Sequence, residues 1–332
     1  MNKIGIVGGA GFIGSALATH LCRSFEIKIL DMKPMPKDLE GKVEYHPCDV
    51  RRFDDVDRGL RDVELVIHAA IVQIPLINEV KRLGYEVNIL GTQNVCEVVN
   101  KNSSIRGMIL TGSWHVIGEK ELRGVIDEEF GFRPDKVEDR ARLYALCKIG
   151  QEMIVRLYDE MSEKVYGVIR TGTVLGMGMP EKTAAAIFTA NGLKGKPLTP
   201  YKHSMYRPML YTNVNDVCKA YEAYAKKVLS GEVRKEGGSL AHIVNVCWPE
   251  PITILELAEM VRDAVIKCSN GKIKPEIEVV DGGQPVLFTP KDKELINVDV
   301  SKMKSFLGLE RMTNPKETIR KLIKEGFEGS EK

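Results

Sequence analysis

Ile4-Gly5-Ile6-Val7-Gly8-Gly9-Ala10-Gly11-Phe12-Ile13-Gly14 decides the fold. Ile4 to Val7 is a short apolar run that reads as a buried strand. Ser15-Ala16-Leu17-Ala18-Thr19-His20-Leu21, just after it, has helical spacing. Strand, glycine turn and helix together make a dinucleotide cradle. Gly8 permits the tight turn, Gly11 lets backbone approach a pyrophosphate, and Gly14 lets the helix sit close on the strand. The helix start offers unpaired N–H groups and a positive dipole end to phosphate. Asp31 closes the next apolar run, Ile27-Lys28-Ile29-Leu30, twenty residues after Gly11. An acid at that distance accepts hydrogen bonds from an adenosine ribose. It also repels a 2′-phosphate, so NAD is expected over NADP, with Lys33 the neighbouring cation that speaks for NADP.

The 332 residues suffice for one large or two ordinary domains. A hydrophobic content of 43% and a charged content of 28% fit a soluble globular protein. A net charge of +2 is too small to argue for nucleic acid or a membrane surface as a partner. No apolar run approaches the length of a membrane span, and the first strand begins too early to leave room for a signal peptide. The seven cysteines include no Cys-x-x-Cys pair. They read as reduced, mostly buried thiols in a cytoplasm, and no zinc spacing implies a metal.

Strand and helix signals alternate through the first half. Val43 to His46 reads as a third strand, followed by Pro47-Cys48-Asp49-Val50. Asp49 either bonds an adenine amino group or caps the polar segment that follows. Leu65 to Ala70 is a fourth strand ending in Ala69 and Ala70, small residues that suit close passage of a ligand. His68, alone, reads as a packed core residue. Val80 to Val99 reads as one long helix carrying Asn88, Gly91 and Thr92, and Met108 to Thr111 as a fifth strand ending at Gly112-Ser113. Such alternation predicts a Rossmann-type, doubly wound parallel sheet of the α/β class.

Tyr144-Ala145-Leu146-Cys147-Lys148 falls in a helix expected from about Val137 to Tyr158. Residues four apart share a helix face, so Tyr144 and Lys148 point the same way. An ammonium beside a phenol lowers its pKa from about 10, and a shift of about three units takes roughly 4 kcal/mol. Such a tyrosine exchanges protons near neutral pH. The plain alternative is an ordinary surface pair.

These motifs occur in order: the glycine turn, Asp31, Cys48-Asp49-Val50, His68-Ala69-Ala70, Asn88-x-x-Gly91-Thr92-x-Asn94, Ser113 and Tyr144-x-x-x-Lys148. Together they resemble the extended short-chain dehydrogenase/reductases, and more narrowly the NAD-dependent nucleotide-sugar epimerase/dehydratase family. The resemblance runs on through Gly195 to Tyr201, Tyr211 to Val217, Asn245-Val246, Ile252 to Leu257, Asp299 to Lys302 and Phe306 to Leu309. It implies an NAD-binding part, residues 1–171 with about 206–247, and a smaller C-terminal α/β substrate part, residues 172–205 with about 248–330. It implies that Tyr144 is the general acid/base, that Lys148 bonds the nicotinamide ribose and lowers the tyrosine pKa, and that Ser113 bonds the reacting oxygen. Gly8, Gly11, Phe12, Ile13, Gly14, Asp31, Asp49, Val50, Ala69, Ala70, Asn88 and Lys148 would hold NAD. Ser113, Thr173 and Arg207 would face a nucleotide-sugar substrate. A homodimer through two long helices per subunit, Leu83 to Val99 and Ala141 to Tyr158, also follows from the resemblance.

The chain departs from the family pattern in places. Trp114 and His115 stand where 4,6-dehydratases carry an Asp-Glu pair, and decarboxylating relatives place a glutamate at the His115 position. His115 is either an acid or base of useful pKa or a polar wall residue. Thr173 replaces an asparagine that contacts the nucleotide diphosphate, and a threonine reaches less far. Arg207 is either a bidentate diphosphate ligand or a solvated loop arginine, and it stands two residues further from Asp216 than the pattern has it. The charged segment from Glu119 to Arg140 reads as a lid or a solvated loop. The leading expectation is a UDP-glucose/UDP-galactose 4-epimerase-like enzyme. The alternative is a net NAD(P)-dependent dehydrogenase or reductase of the 3β-hydroxysteroid dehydrogenase/dihydroflavonol reductase type. A catalytically silent NAD-sensing protein is a third possibility, against which Ser113, Tyr144 and Lys148 argue.

Overall fold

A computed structural model describes residues 1–233 and 238–330. The elements in chain order begin β1 (Lys3–Val7), α1 (Phe12–Leu21), β2 (Glu26–Asp31), β3 (Glu44–Pro47), α2 (Phe53–Gly59) and β4 (Leu65–His68). They continue with α3 (Leu76–Glu79), α4 (Lys81–Tyr85), α5 (Gly91–Lys101), β5 (Gly107–Ser113), β6 (Gly124–Ile126), α6 (Asp139–Met161) and β7 (Val165–Thr171). Next come β8 (Thr173–Leu175), α7 (Ala184–Leu193), β9 (Pro208–Met209), β10 (Tyr211–Asn213), α8 (Val214–Ser230) and β11 (Ile243–Val246). The chain ends with β12 (Ile252–Thr253), α9 (Ile254–Cys268), β13 (Ile296–Val298), α10 (Ser301–Leu307) and α11 (Pro315–Ser330).

Seven strands form one parallel sheet in the order β3-β2-β1-β4-β5-β7-β11. Both faces are covered, so its strands read as nearly unbroken apolar runs. Successive residues face opposite layers. Ile6, Ile67 and Ile109 pack with Leu17 of α1 and Tyr221 of α8. Their neighbours Val7, Val66 and Leu110 pack with Val56 of α2, Val95 of α5 and Val155 of α6. Strand order reverses between β1 and β4, which opens a crevice at their carboxyl ends. The glycine turn lies there.

The expected helix from Val80 to Val99 forms, but not as one regular helix. A π-helical turn, Glu86–Leu90, joins α4 to α5. Single π turns of this sort gather at functional sites. Asn88 occupies it, wholly buried. The expected Val137 to Tyr158 helix is α6, starting at Asp139 and ending at Met161.

The C-terminal elements extend the same core. Leu257 and Val261 of α9 join Ile319 and Ile323 of α11 in the core. The Ile252 to Leu257 motif is a strand followed by a helix start with a full capping box between Thr253 and Glu256. Gly195 to Tyr201 is pinned by backbone hydrogen bonds to residues 276 to 280, among them Leu198 N to Glu276 O at 2.8 Å. The segment from Glu119 to Arg140 is neither a lid nor a solvated loop. Its β6 pairs in parallel with β13, Glu119 and Glu138 are buried, and Arg133 Nη2 donates to the Lys120 carbonyl at 2.6 Å. Several of its charges are paired, among them Glu121 with Lys136 and Glu138 with Arg140, which composition could not show. All seven cysteines are free thiols, five of them buried. Among the described residues no helix is long and apolar enough to cross a membrane.

Candidate active site

The cradle behaves as its glycines predict. Gly8 has φ +81°, and a Cβ there would lie 2.4 Å from the Ala70 nitrogen. A Cβ on Gly14 would lie 2.3 Å from the Gly8 carbonyl oxygen. Gly11 differs: its Cβ would meet only that oxygen, at 3.3 Å. Protein packing therefore does not demand glycine at position 11. The open space beside it fits a pyrophosphate. Gly11 is also the N-cap of α1 without a side-chain cap, and the first turn holds no acid, so the Phe12 and Ile13 amides stay available to an anion.

Asp31 sits at the end of β2. Its Oδ2 accepts from Ala10 N–H at 3.0 Å and its Oδ1 from Lys33 N–H at 2.9 Å. Each carboxylate oxygen keeps a second lone pair for a ribose hydroxyl. Ala69 N–H donates to the Val7 carbonyl at 2.7 Å, so the small residues after β4 close the crevice against the cradle. The Val50 carbonyl accepts from Asn94 Nδ2 at 2.8 Å.

Two expected cofactor ligands also have partners within the protein. Asp49 is engaged by Arg51, with Nη2 at 2.6 Å and the Arg51 backbone N–H at 3.1 Å. That guanidinium holds the Asp49 carboxyl below the usual range. Asp49 caps no helix either, since Arg52 is the N-cap of α2. Asn88 spends both ends of its side chain on one residue: Oδ1 accepts from Val72 N–H at 2.7 Å and Nδ2 donates to the Val72 carbonyl at 3.2 Å. It braces the loop after Ala70. Thr92, one turn on, donates to the Asn88 carbonyl at 2.7 Å. With its proton so used, Thr92 Oγ1 accepts from Gln151 Nε2 and from His68 Nε2, each at 2.9 Å. His68 is thus a packed core residue, and burial pushes its imidazole down to about 3.

Ser113 ends β5, and α6 carries Tyr144 and Lys148. Lys148 is 3% exposed and donates to the Thr111 carbonyl at 2.7 Å. Burial lowers it to about 7. No other hydrogen-bond partner meets its ammonium among the described residues, which leaves two N–H groups suited to the paired hydroxyls of a ribose. The expected lowering of the Tyr144 pKa does not occur. Burial pushes the phenol up to about 12, with the Ser113 hydroxyl working the other way. The cost of burying a phenolate outweighs that hydrogen bond.

His115 adjoins this trio. Its Nδ1 lies 3.1 Å from Ser113 Oγ, and its ring stands edge-on to Tyr144 with centroids 5.7 Å apart at 89°. Burial pushes it down to about 3, helped by Arg207, Arg140 and Lys148. That lowering weighs against the acid or base reading of His115 and toward the wall reading. Arg207 is not a solvated loop arginine: it is 6% exposed, its Nη1 bonds Glu138 Oε2 at 2.5 Å, and its buried Nε has no protein partner. Arg140 Nε shares that oxygen at 2.9 Å, and Glu119 Oε1 accepts the Glu138 N–H at 3.0 Å. Glu138 and Arg207 are 69 residues apart, beyond the reach of any local pattern. Thr173 donates its N–H to the Leu210 carbonyl at 2.7 Å, while its hydroxyl is sealed without a protein partner. A separate cleft of about 710 Å³, bordered by Glu128, Arg156, Ser239 and Lys302, contains none of the trio. Its size is no argument for chemistry there.

A doubly wound sheet with a glycine cradle at its switch point defines a dinucleotide-binding protein of Rossmann type. Residues 4–247 match the model of the NAD dependent epimerase/dehydratase family, and the chain belongs to that family. The chain is 26% identical over 330 residues to a putative UDP-glucose 4-epimerase of Methanocaldococcus jannaschii, with 96% of each covered. It is 25% identical to UDP-glucuronic acid decarboxylase 6 of Arabidopsis thaliana, with 98% of this chain and 88% of that one covered. Among solved structures, the UDP-glucose 4-epimerase of Thermus thermophilus, in complex with NAD, superposes with a TM-score of 0.76 at 25% identity, with 99% of each chain covered. The family is NAD-dependent.

Proposed function

We propose that the chain is a nucleotide-sugar epimerase acting on a UDP-hexose, with inversion at C4. The observation that carries this is the buried, partly unpaired Lys148 one turn from Tyr144, beside Ser113 and at the mouth of the cradle. Bound NAD would supply a reversible hydride acceptor. Gly8, Gly11, Gly14 and Asp31, with the Phe12 and Ile13 amides, hold its phosphates and ribose. Ala69, Ala70 and Val50 line the crevice, and Lys148 holds the second ribose. Tyr144 takes the hydroxyl proton as the sugar carbon is oxidised, and returns it after the ketosugar has turned its other face. Ser113 hydrogen-bonds the reacting oxygen throughout. The positive charge of an oxidised nicotinamide and the Ser113 hydrogen bond oppose the burial that keeps the Tyr144 phenol protonated.

Further parts of the reading follow. Residues 1–171 with about 206–247 form the NAD-binding part, and the remainder forms the substrate part. Leu146, Met153 and Leu157 make an exposed apolar stripe on α6, flanked by exposed Tyr85 and Leu90, and we assign it to a homodimer of the four-helix kind. His115 in place of an acid weighs against dehydration and decarboxylation. The unpartnered Thr173 hydroxyl favours the second reading, a net dehydrogenase or reductase.

The deciding experiment adds UDP-galactose to the purified protein without added cofactor, follows absorbance at 340 nm and separates the sugar nucleotides. UDP-glucose formed without lasting absorbance supports epimerisation. NADH accumulating on added NAD supports the second reading. No reaction with or without NAD removes the UDP-hexose assignment.

A further inference from the structure

His115 has no task in the chemistry above, yet its ring reaches both Ser113 and Tyr144. Ser113 caps the short helical turn Trp114–Ile117, and its Oγ accepts the His115 backbone N–H at 3.3 Å. A hydroxyl has one proton and two lone pairs. One lone pair is therefore taken by the His115 backbone. If ring Nδ1 accepts, the single Ser113 proton is spent on the imidazole and none is left for the reacting oxygen. If Nδ1 carries the hydrogen, both lone pairs are filled by His115 and the proton must point away from it. Only the second case leaves Ser113 a proton for the reacting oxygen, as its place in the reaction requires.

The charges around the ring keep it neutral. Arg140, Tyr144 and Lys148 come from the α6 side, Arg207 precedes β9, and Glu138 binds both arginines with Glu119 behind it. Burial and the neighbouring Arg207, Arg140 and Lys148 all disfavour a second ring proton.

We propose that His115 is a positioning residue: as the neutral Nδ1–H tautomer it fills the lone pairs of Ser113 and turns the serine proton toward Tyr144 and the reacting oxygen. The proposal rests on the reading of Ser113 as a hydrogen-bond donor in the reaction. It gives a family-atypical histidine a defined role and denies it that of general base.

Nitrogen NMR on the full-length protein with 15N-labelled histidine tests it without any substrate. There are six histidines, and the His115 signals are those lost in His115→Asn. The expected result is a protonated Nδ1 and a bare Nε2, unchanged from about pH 5.5 to about pH 8.5. An Nε2–H tautomer, or titration within that range, overturns the proposal whatever the enzyme acts on. Kinetics on the substrate found above supply the second readout. His115→Ala lowers kcat roughly tenfold or more with KM little changed. His115→Asn, whose amide can donate in place of Nδ1, recovers most of that loss. Equal kcat in the Ala and Asn variants, with unchanged melting temperatures, also overturns it.

Discussion

At the scale of the residue, the trio divides its work by burial. Tyr144 is protonated in the cofactor-free protein, so its value lies in the one proton it can pass. Tyr144→Phe is expected to lower kcat by roughly 10²–10⁴-fold while NAD is still retained, measured by turnover and by cofactor content after gel filtration. Unchanged cellular function in that variant would revive the silent NAD-sensing reading. Lys148 has the opposite fault: it is a cation in a place that disfavours charge. Its folded pKa of about 7 lies below the unfolded value of about 10.4. Below pH 7 both states are charged and the folded state bears the full cost. Between about pH 7 and 10.4 the unfolded chain holds a proton that the folded chain has released, so stability rises with pH across that window. Lys148→Met should therefore stabilise the cofactor-free protein by about 1–4 kcal/mol below pH 7, less as pH rises, and should abolish turnover. Thermal unfolding at about pH 6 and about pH 9 checks this. A gain equal at both would mean that the lysine keeps its ordinary pKa.

At the scale of the element, the glycine turn separates packing from binding. Gly14 is needed by the fold, because any side chain meets Gly8 backbone at 2.3 Å. Gly11 is needed by a ligand, because its Cβ would meet one oxygen at 3.3 Å and otherwise open space. Gly14→Ala should lose about 1–3 kcal/mol of stability. Gly11→Ala should leave stability within about 0.5 kcal/mol but weaken NAD binding roughly tenfold or more. Denaturant unfolding and calorimetric titration distinguish the two. Equal loss of stability in both variants would contradict this division. The π turn at Glu86–Leu90 acts at the same scale. It brings Asn88 to Val72 and Thr92 to His68 and Gln151, which ties the crevice wall to the helix carrying Tyr144 and Lys148.

At the scale of the whole molecule, α6 presents an exposed apolar stripe among the described residues. Leu146, Met153 and Leu157 are each close to half exposed, seven and four residues apart on one helix face. The same helix buries Ala145, Lys148, Gln151 and Glu152 against the sheet. Met153→Glu with Leu157→Glu should convert a dimer into a folded monomer, read as a halved mass by light scattering after size exclusion. A wild-type chain that is already monomeric would remove the dimer reading.

The sequence by itself determined the sheet, the cradle and the face shared by Tyr144 and Lys148. These depend on neighbours in the chain: a strand, a glycine turn and a helix follow from period and spacing. The capping box between Thr253 and Glu256 was local enough to be legible too, but it emerged only in the structure. Tertiary structure alone decided who pairs with whom. Asp49 went to Arg51, Asn88 to Val72, and Arg207 to Glu138 across 69 residues. It alone set the direction of the pKa shifts as well: burial raises Tyr144 and lowers His115. Desolvation depends on everything that surrounds a group, and no stretch of sequence carries that information.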